Sequence, residues 1–123
     1  MADAIIIESF VWFVDGESRI GSASEDIRSG QAVQIVESQV ALSRTRFDGM
    51  ALTTARIGEP VAYACPGSKV CPGCELRPGG YCLSEYTPGA IAPDTDGGTV
   101  IVGNSPDGIY LELGDSRVDS ASG

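Results

Sequence analysis

The sequence predicts an all-β protein, built as a small barrel or a β-sandwich of short antiparallel strands. Its 16 glycines and 7 prolines lie mostly singly between apolar runs, as turns do in all-β domains. Strand-like runs recur about every eight to twelve residues, the spacing of a sandwich or barrel. The best helix candidate, Ala23–Ser29, is too short for a helix and is followed by Gly30.

The first predicted strand is the apolar run Ala4–Val14, which is rich in Ile, Val, Phe and Trp. The dipeptide Asp15-Gly16 after it predicts a hairpin turn. The run holds more large apolar groups than one face of one strand can bury. It is therefore either a strand buried on both faces or a docking arm. The candidate partner-contact residues are Ile5, Ile7, Phe10, Trp12 and Phe13.

The later strands are each preceded by a turn signal such as Gly30, Glu37-Ser38-Gln39 or Asp48-Gly49. They are predicted over Gln31–Val36, Val40–Ser43, Met50–Thr53, Val61–Cys65, Tyr81–Ser84, Thr99–Val102 and Ile109–Leu113.

The chain length of 123 residues fits one domain. We expect an apolar N-terminal strand or docking arm at 1–14 and a single β domain at 15–113, with a cysteine-rich loop at 65–82. The segment 114–123 lacks the apolar residues needed to hold itself against a core. We expect it to be a flexible tail.

The charge balance argues against two classes of partner. There are 17 acidic and 8 basic side chains, giving a net charge of −9. Such a field repels nucleic acid and anionic lipid. The run Ala4–Val14 is too short to span a membrane, and the start Met1-Ala2-Asp3-Ala4 lacks the basic residues of a signal peptide. We expect synthesis in the cytoplasm and no nucleic-acid or membrane partner.

The side chains that the sequence offers for catalysis predict that the chain is not an enzyme. It contains no histidine, which removes the usual general base and the Ser-His and Cys-His nucleophiles. Most acidic residues fall in predicted turns, where carboxylates usually cap backbone groups in contact with water.

Four cysteines are the one group of residues whose spacing indicates a chemical site. They are Cys65, Cys71, Cys74 and Cys82, spaced C-x5-C-x2-C-x7-C. The Cys-Pro-Gly-Cys centre is typical of a zinc knuckle, and four thiolates also suit an iron–sulfur cluster. Disulfides would join the same loop equally well, and free buried thiols are the third interpretation. The spacing leaves all of these open.

The order of phrases along 27–113 resembles that of bacteriophage capsid decoration proteins, also called cement or head-stabilising proteins. Ile27–Val33 is similar to I-x-A-G-x-A-V, and Gly49–Ala64 to G-x-A-L-x-x-A-x-x-G-E-x-V-x-Y-A. Leu76–Pro93 is similar to L-x-x-G-x-x-Y-x-L-S-x-x-x-G-x-I-A-P, and the runs Val100–Gly103 and Ile109–Leu113 fit its close. The cysteine-rich insert and the apolar N-terminal segment depart from the pattern.

The resemblance implies a non-enzymatic β domain on the capsid surface of a virion. It implies a homotrimer that binds the major capsid protein or other virion subunits and locks them together. Such proteins act through broad surfaces, so no single binding residue is carried over. Two alternatives remain open. One is a tail- or head-fibre receptor-binding module with exposed Tyr81, Tyr86 and Tyr110. The other is a small cysteine-ligated metal protein, such as an electron-transfer module.

Overall fold

The computed structural model describes residues 11–44, 46–71, 79–84, 87–93, 102–104 and 111–113, and it confirms the all-β fold class. The strands are β1 (Trp12–Asp15), β2 (Ser18–Ala23), β3 (Ala32–Val36), β4 (Gln39–Leu42), β5 (Gly49–Ala51), β6 (Pro60–Ala64), β7 (Lys69–Cys71), β8 (Gly79–Leu83), β9 (Ile91–Pro93), β10 (Val102–Asn104) and β11 (Leu111–Leu113). Within these ranges no helix is long and apolar enough to cross a membrane.

Five strands close into a small barrel in the order β2-β4-β3-β5-β6. Antiparallel pairs make most of the wall, and the longest joins β6 to β2 from Ser18 to Ser22. One pair departs from the predicted antiparallel pattern, because β2 runs parallel to β4 at Ser22 and Ala23. A closed wall leaves none of its strands with a free edge.

The other six strands form an antiparallel sheet in the order β1-β7-β11-β10-β8-β9. β1 and β9 are the terminal strands of this order. The sheet packs on the outside of the barrel, because buried residues of β7, β8, β9 and β11 share one apolar cluster with residues of β3, β5 and β6.

The protein therefore has two hydrophobic cores. The interior core lies inside the barrel and contains Ala23, Ile27, Val33, Val40, Ala51, Ala55, Val61 and Tyr63. The shared core lies between barrel and sheet and contains Val11, Ala32, Phe47, Met50, Ala64, Val70, Tyr81, Ile91, Leu111 and Leu113. One strand can supply side chains to both cores, because neighbours such as Met50 and Ala51 point to opposite faces.

The turn between β3 and β4 lies where the sequence predicts one. Its two residues, Glu37 and Ser38, have φ angles of 52° and 69°, and Val36 pairs with Gln39 directly beside them. Two consecutive positive φ values are those of a type I′ hairpin, the turn that matches strand twist. Neither residue is a glycine or an asparagine, so this turn carries backbone strain.

The hairpin predicted at Asp15-Gly16 is wrong. β1 pairs with β7 in the sheet, whereas β2 pairs with β6 in the barrel. The chain passes here from one layer to the other. Gly16 has a φ of 119°, and a Cβ at this position would overlap the side chain of Ser68. A close approach between layers therefore requires the glycine.

Three strands have no counterpart in the sequence prediction: β2, β7 and β9. β2 has the polar, glycine-containing sequence Ser-Arg-Ile-Gly-Ser-Ala, which is a weak strand signal. It is extended because it pairs with β6. A Cβ on Gly21 would come within 2.7 Å of the Val40 side chain, so this glycine allows close packing against the neighbouring strand β4.

Candidate functional site

The edge strand β1 is the described surface with the densest exposed apolar side chains. Trp12, Phe13 and Val14 are exposed by 61%, 40% and 51%, and no residue of β1 is buried. For these residues the structure shows an edge strand, not a strand buried on both faces. Two of the predicted contact residues, Trp12 and Phe13, thus lie at the surface. The other three, Ile5, Ile7 and Phe10, lie outside the described residues.

The apolar side chains of β1 lie on both faces of the sheet margin. Trp12 is opposite Cys71, and Phe13 is opposite Val70. Directly opposed residues share a face, and Val70 is fully buried in the shared core. Phe13 therefore lies on the inner face and Trp12 on the outer face. Soluble proteins usually protect an edge strand with charge or proline, and in β1 only Asp15 does so.

Two buried serines fix β1 at its ends. Ser29 Oγ accepts a hydrogen bond from the Val11 N–H at 3.1 Å and donates to the Leu52 carbonyl at 3.1 Å. Ser68 Oγ accepts from the Glu17 N–H at 3.0 Å and donates to the Glu17 carbonyl at 2.9 Å. The strand is thus held in place before any partner arrives, which lowers the entropy lost on binding.

These two serines could not be recognised as functional from the sequence. Serine is mostly exposed in proteins, and nothing in the residues around Ser29 or Ser68 marks either one as buried. Their importance comes from the neighbours that the fold brings to them. Three further apolar residues, Ile20, Val36 and Ile57, are exposed although their sequence context does not predict it.

The structure describes three of the four cysteines, Cys65, Cys71 and Cys82; Cys74 lies outside the described residues. Cys71 is on β7 and Cys82 on β8, and β11 and β10 lie between these strands. Three strand spacings of about 4.8 Å put the two residues roughly 14 Å or more apart. A disulfide needs Cα atoms within about 7 Å, and zinc binds thiolates at about 2.3 Å. The structure does not bring this pair together.

The third described thiol, Cys65, follows β6 and packs against the interior core. Burial raises the pKa of the Cys65 thiol, and the Glu17 carboxylate raises it further, against an opposing effect of Arg19. A raised pKa disfavours the thiolate that binds metal. Across the described ranges, no group of three potential ligands lies close enough to hold an ion. The four-cysteine site stays a prediction, because Cys74 lies outside the described residues.

Of the three tyrosines that were expected to be exposed, the structure describes one, and it differs from that expectation. Tyr81 is buried in the shared core, so it is not an exposed aromatic group. The reason is its place on β8, where it is opposite Val102 on the side of the sheet that faces the barrel. Tyr86 and Tyr110 lie outside the described residues.

A scan against protein-family models finds no match, and a comparison with curated proteins finds no significant match. Two of the phrases that resemble capsid decoration proteins, 27–33 and 49–64, fall on the segment that forms the barrel. Ile27 is fully buried and bridges to Ala55, while Gly49 and Gly58 have positive φ angles. These positions meet packing and turn requirements, so in these two phrases the matching residues serve the fold.

Proposed function

We propose that this chain is a non-enzymatic virion structural protein that decorates and stabilises a bacteriophage capsid. Its partners in this proposal are the major capsid protein or other virion subunits, together with copies of itself in a homotrimer. The observation that carries the proposal is the apolar edge strand β1, which is already held in place by Ser29 and Ser68. The order of the phrases along 27–113 adds to it.

Docking through β1 would bury the apolar side chains that this strand exposes. Trp12 and Phe13 are already partly buried, so burying their exposed parts against a partner would contribute about 1–2 kcal/mol each. The net charge of −9 opposes non-specific association of copies in solution. On a lattice, many modest contacts reinforce one another when copies of the protein are linked. A single apolar strand on an acidic body therefore suits a protein that assembles on a repeating surface.

The side-chain chemistry supports a structural role. With no histidine in the chain, the described nucleophiles would need another activating group. Burial raises the pKa of the Tyr63 phenol and of the Cys65 thiol, so both stay protonated at neutral pH. A protonated phenol and thiol are poor nucleophiles.

The test is whether the protein is found on particles and depends on β1 for it. Virus particles from a lysate that contains this chain are banded in a density gradient, and each fraction is probed with an antibody to the chain. We expect the chain in the particle band. Replacing the two most exposed apolar residues of β1, as Trp12→Ser with Val14→Ser, should remove most of it from that band while the thermal unfolding temperature changes little.

The matched control is Ile57→Ser, which removes an equally exposed apolar side chain from the turn before β6. It should leave particle binding unchanged. Full-length protein that stays free in the lysate and never bands with particles would overturn the proposal. Binding only to tail or fibre fractions would favour the receptor-binding alternative instead.

A further inference from the structure

An open cleft of about 440 Å³ lies at one end of the barrel. It is formed where β2 and the approach to β5 begin and where β3 and β6 end. Its volume is within the range of small-molecule sites, roughly 300–1,000 Å³, and barrel mouths are common positions for them. No sequence motif marks this cleft, because its residues are distant along the chain.

The floor of the cleft is apolar and uncharged. Ile35, Tyr63 and Cys65 line it and also belong to or pack against the interior core. Burial raises the pKa of both Tyr63 and Cys65, so neither carries charge at neutral pH. The floor can therefore contact an apolar group, and the Tyr63 hydroxyl and the Cys65 thiol can form weak hydrogen bonds there.

Two guanidinium groups line the same cleft. Arg19 is directly opposite Tyr63 in the β2–β6 ladder, so both side chains are on the barrel's inner side. Its Nε donates to Glu17 Oε2 at 2.8 Å. Arg46 Nε donates to Asp48 Oδ2 at 2.8 Å, and its Nη2 donates to the Ile35 carbonyl at 2.8 Å. The two carboxylates orient the guanidinium groups.

The terminal nitrogens of Arg19 remain available. A guanidinium has five N–H donors, and Glu17 receives only the one on Nε. Within the described part of the chain, neither Nη of Arg19 has a protein acceptor. An incoming carboxylate can thus form two parallel hydrogen bonds with Arg19 without displacing Glu17.

Charge selects the class of anion. The cleft also contains Glu17 and Asp48, and the whole chain is strongly acidic. A dianion such as phosphate is repelled more than a monoanion. An apolar group joined to the anion gains contact with the floor, which adds to the affinity.

We propose that the barrel mouth binds a monocarboxylate carried on an apolar group, with the carboxylate on Arg19 and the apolar group over Tyr63 and Ile35. The source of such a group is a small organic acid or the C-terminal carboxylate of a peptide. This site is on the barrel, and it does not depend on docking through β1.

Titration of the full-length protein, followed by amide shifts in ¹H–¹⁵N spectra, tests the proposal. The probes are phenylacetate, N-acetylphenylalanine as a peptide C-terminus, the neutral phenylacetamide, and inorganic phosphate. We expect both carboxylates to shift the amides of Arg19, Ile35, Tyr63 and Cys65. Arg19→Gln should weaken binding at least about tenfold, the loss of a bidentate charged contact. Arg19→Lys should weaken it less.

The matched control is Arg56→Gln, an exposed arginine outside the cleft, and it should leave the affinity unchanged. Tighter binding of N-acetylphenylalanine would identify a peptide terminus, and equal affinities would identify a small acid; both support the site. Phenylacetamide binding as well as phenylacetate, phosphate binding more tightly, an equal loss in Arg56→Gln, or no shifts with any probe would overturn it.

Discussion

The barrel and the six-stranded sheet differ in how much of their core they provide themselves. Every residue of the interior core lies between Ala23 and Tyr63, within the segment that forms the barrel. The shared core instead needs Ala32, Phe47 and Met50 from the barrel side. The barrel thus surrounds its own apolar centre, whereas the sheet buries its inner face only against the barrel wall. We infer that the sheet depends on the barrel more than the barrel depends on the sheet.

The two regions also differ in their edges. The barrel is closed, so its strands have no open margin for another chain. The sheet has a terminal strand on each side, and one of them is the apolar β1. Interaction with another protein by strand or edge contact is therefore expected at the sheet. On the barrel, the candidate binding site is the cleft at one end.

The largest expected effects come from emptying each core. Phe47 and Ile27 are both fully buried, the first in the shared core and the second in the barrel interior. Phe47→Ala should lower the free energy of unfolding by about 3–5 kcal/mol and Ile27→Ala by about 2–5 kcal/mol. In hydrogen exchange, Phe47→Ala should lower protection in the sheet more than in the barrel, whereas Ile27→Ala should lower both.

Urea unfolding gives the free energies, and Ile57→Ala, at a residue 66% exposed, is the control, with an expected change within about 0.5 kcal/mol. Equal loss of protection in sheet and barrel in Phe47→Ala would contradict the difference in dependence. The two layers would then unfold as one unit.

The next effect tests the close approach between β5 and β6. Gly49 has a φ of 156°, and a Cβ there would overlap the carbonyl oxygen of Ala64, whereas a Cβ on Gly58, at a φ of 86°, would meet no atom within 4 Å. Gly58→Ala should cost about 1–2 kcal/mol from backbone strain alone. Gly49→Ala should cost about 1–3 kcal/mol more, because backbone must shift. Equal costs in thermal unfolding would mean that the barrel wall adjusts freely.

A gain in stability is expected at the β3–β4 hairpin. Replacing its two residues, as Glu37→Asn with Ser38→Gly, gives a type I′ turn the residues that accept positive φ most readily. The free energy of unfolding should rise by about 1 kcal/mol, measured in urea. The control is the reversed pair, Glu37→Gly with Ser38→Asn, which should gain less. No gain in either variant would contradict strain at these two residues.

The smallest effect concerns acid stability at the rim of the barrel. Glu25 accepts hydrogen bonds from Arg44 at 2.8 Å and from the Leu42 N–H at 2.9 Å, and the hydrogen bond from Arg44 is the main cause that lowers the pKa of Glu25. A lowered folded-state pKa means that this stabilisation is complete above about pH 4.5, the ordinary value for the carboxyl. It is lost as the pH falls through the folded-state value.

Glu25→Gln should therefore lower stability by about 0.5–1 kcal/mol near pH 7 and by less near pH 3, measured by unfolding at both pH values. Glu37→Gln, at an exposed position, is the control and should show no such difference. A Glu25→Gln effect that does not change with pH would contradict the role of the ionised carboxylate.

Local patterns in the sequence were enough to predict the all-β class and several strands. In β3 and β6, apolar residues such as Val33 and Val61 recur beside polar or small ones, and the turn at Glu37-Ser38 follows from the break in that pattern. β-branched residues fit a pleated, half-buried surface wherever it is formed. These features depend on near neighbours in the chain, so they can be inferred without knowing the fold.

The tertiary structure alone decided which strands pair, and hence where the candidate sites are. β2 is extended through its partner β6, Asp15-Gly16 connects two layers rather than one hairpin, and Cys71 and Cys82 fall on strands with two others between them. The same holds for the barrel mouth, where Arg19 meets Tyr63. Strand pairing joins residues that are far apart in sequence, and a local pattern fixes which residues share a face but not which strand lies beside it.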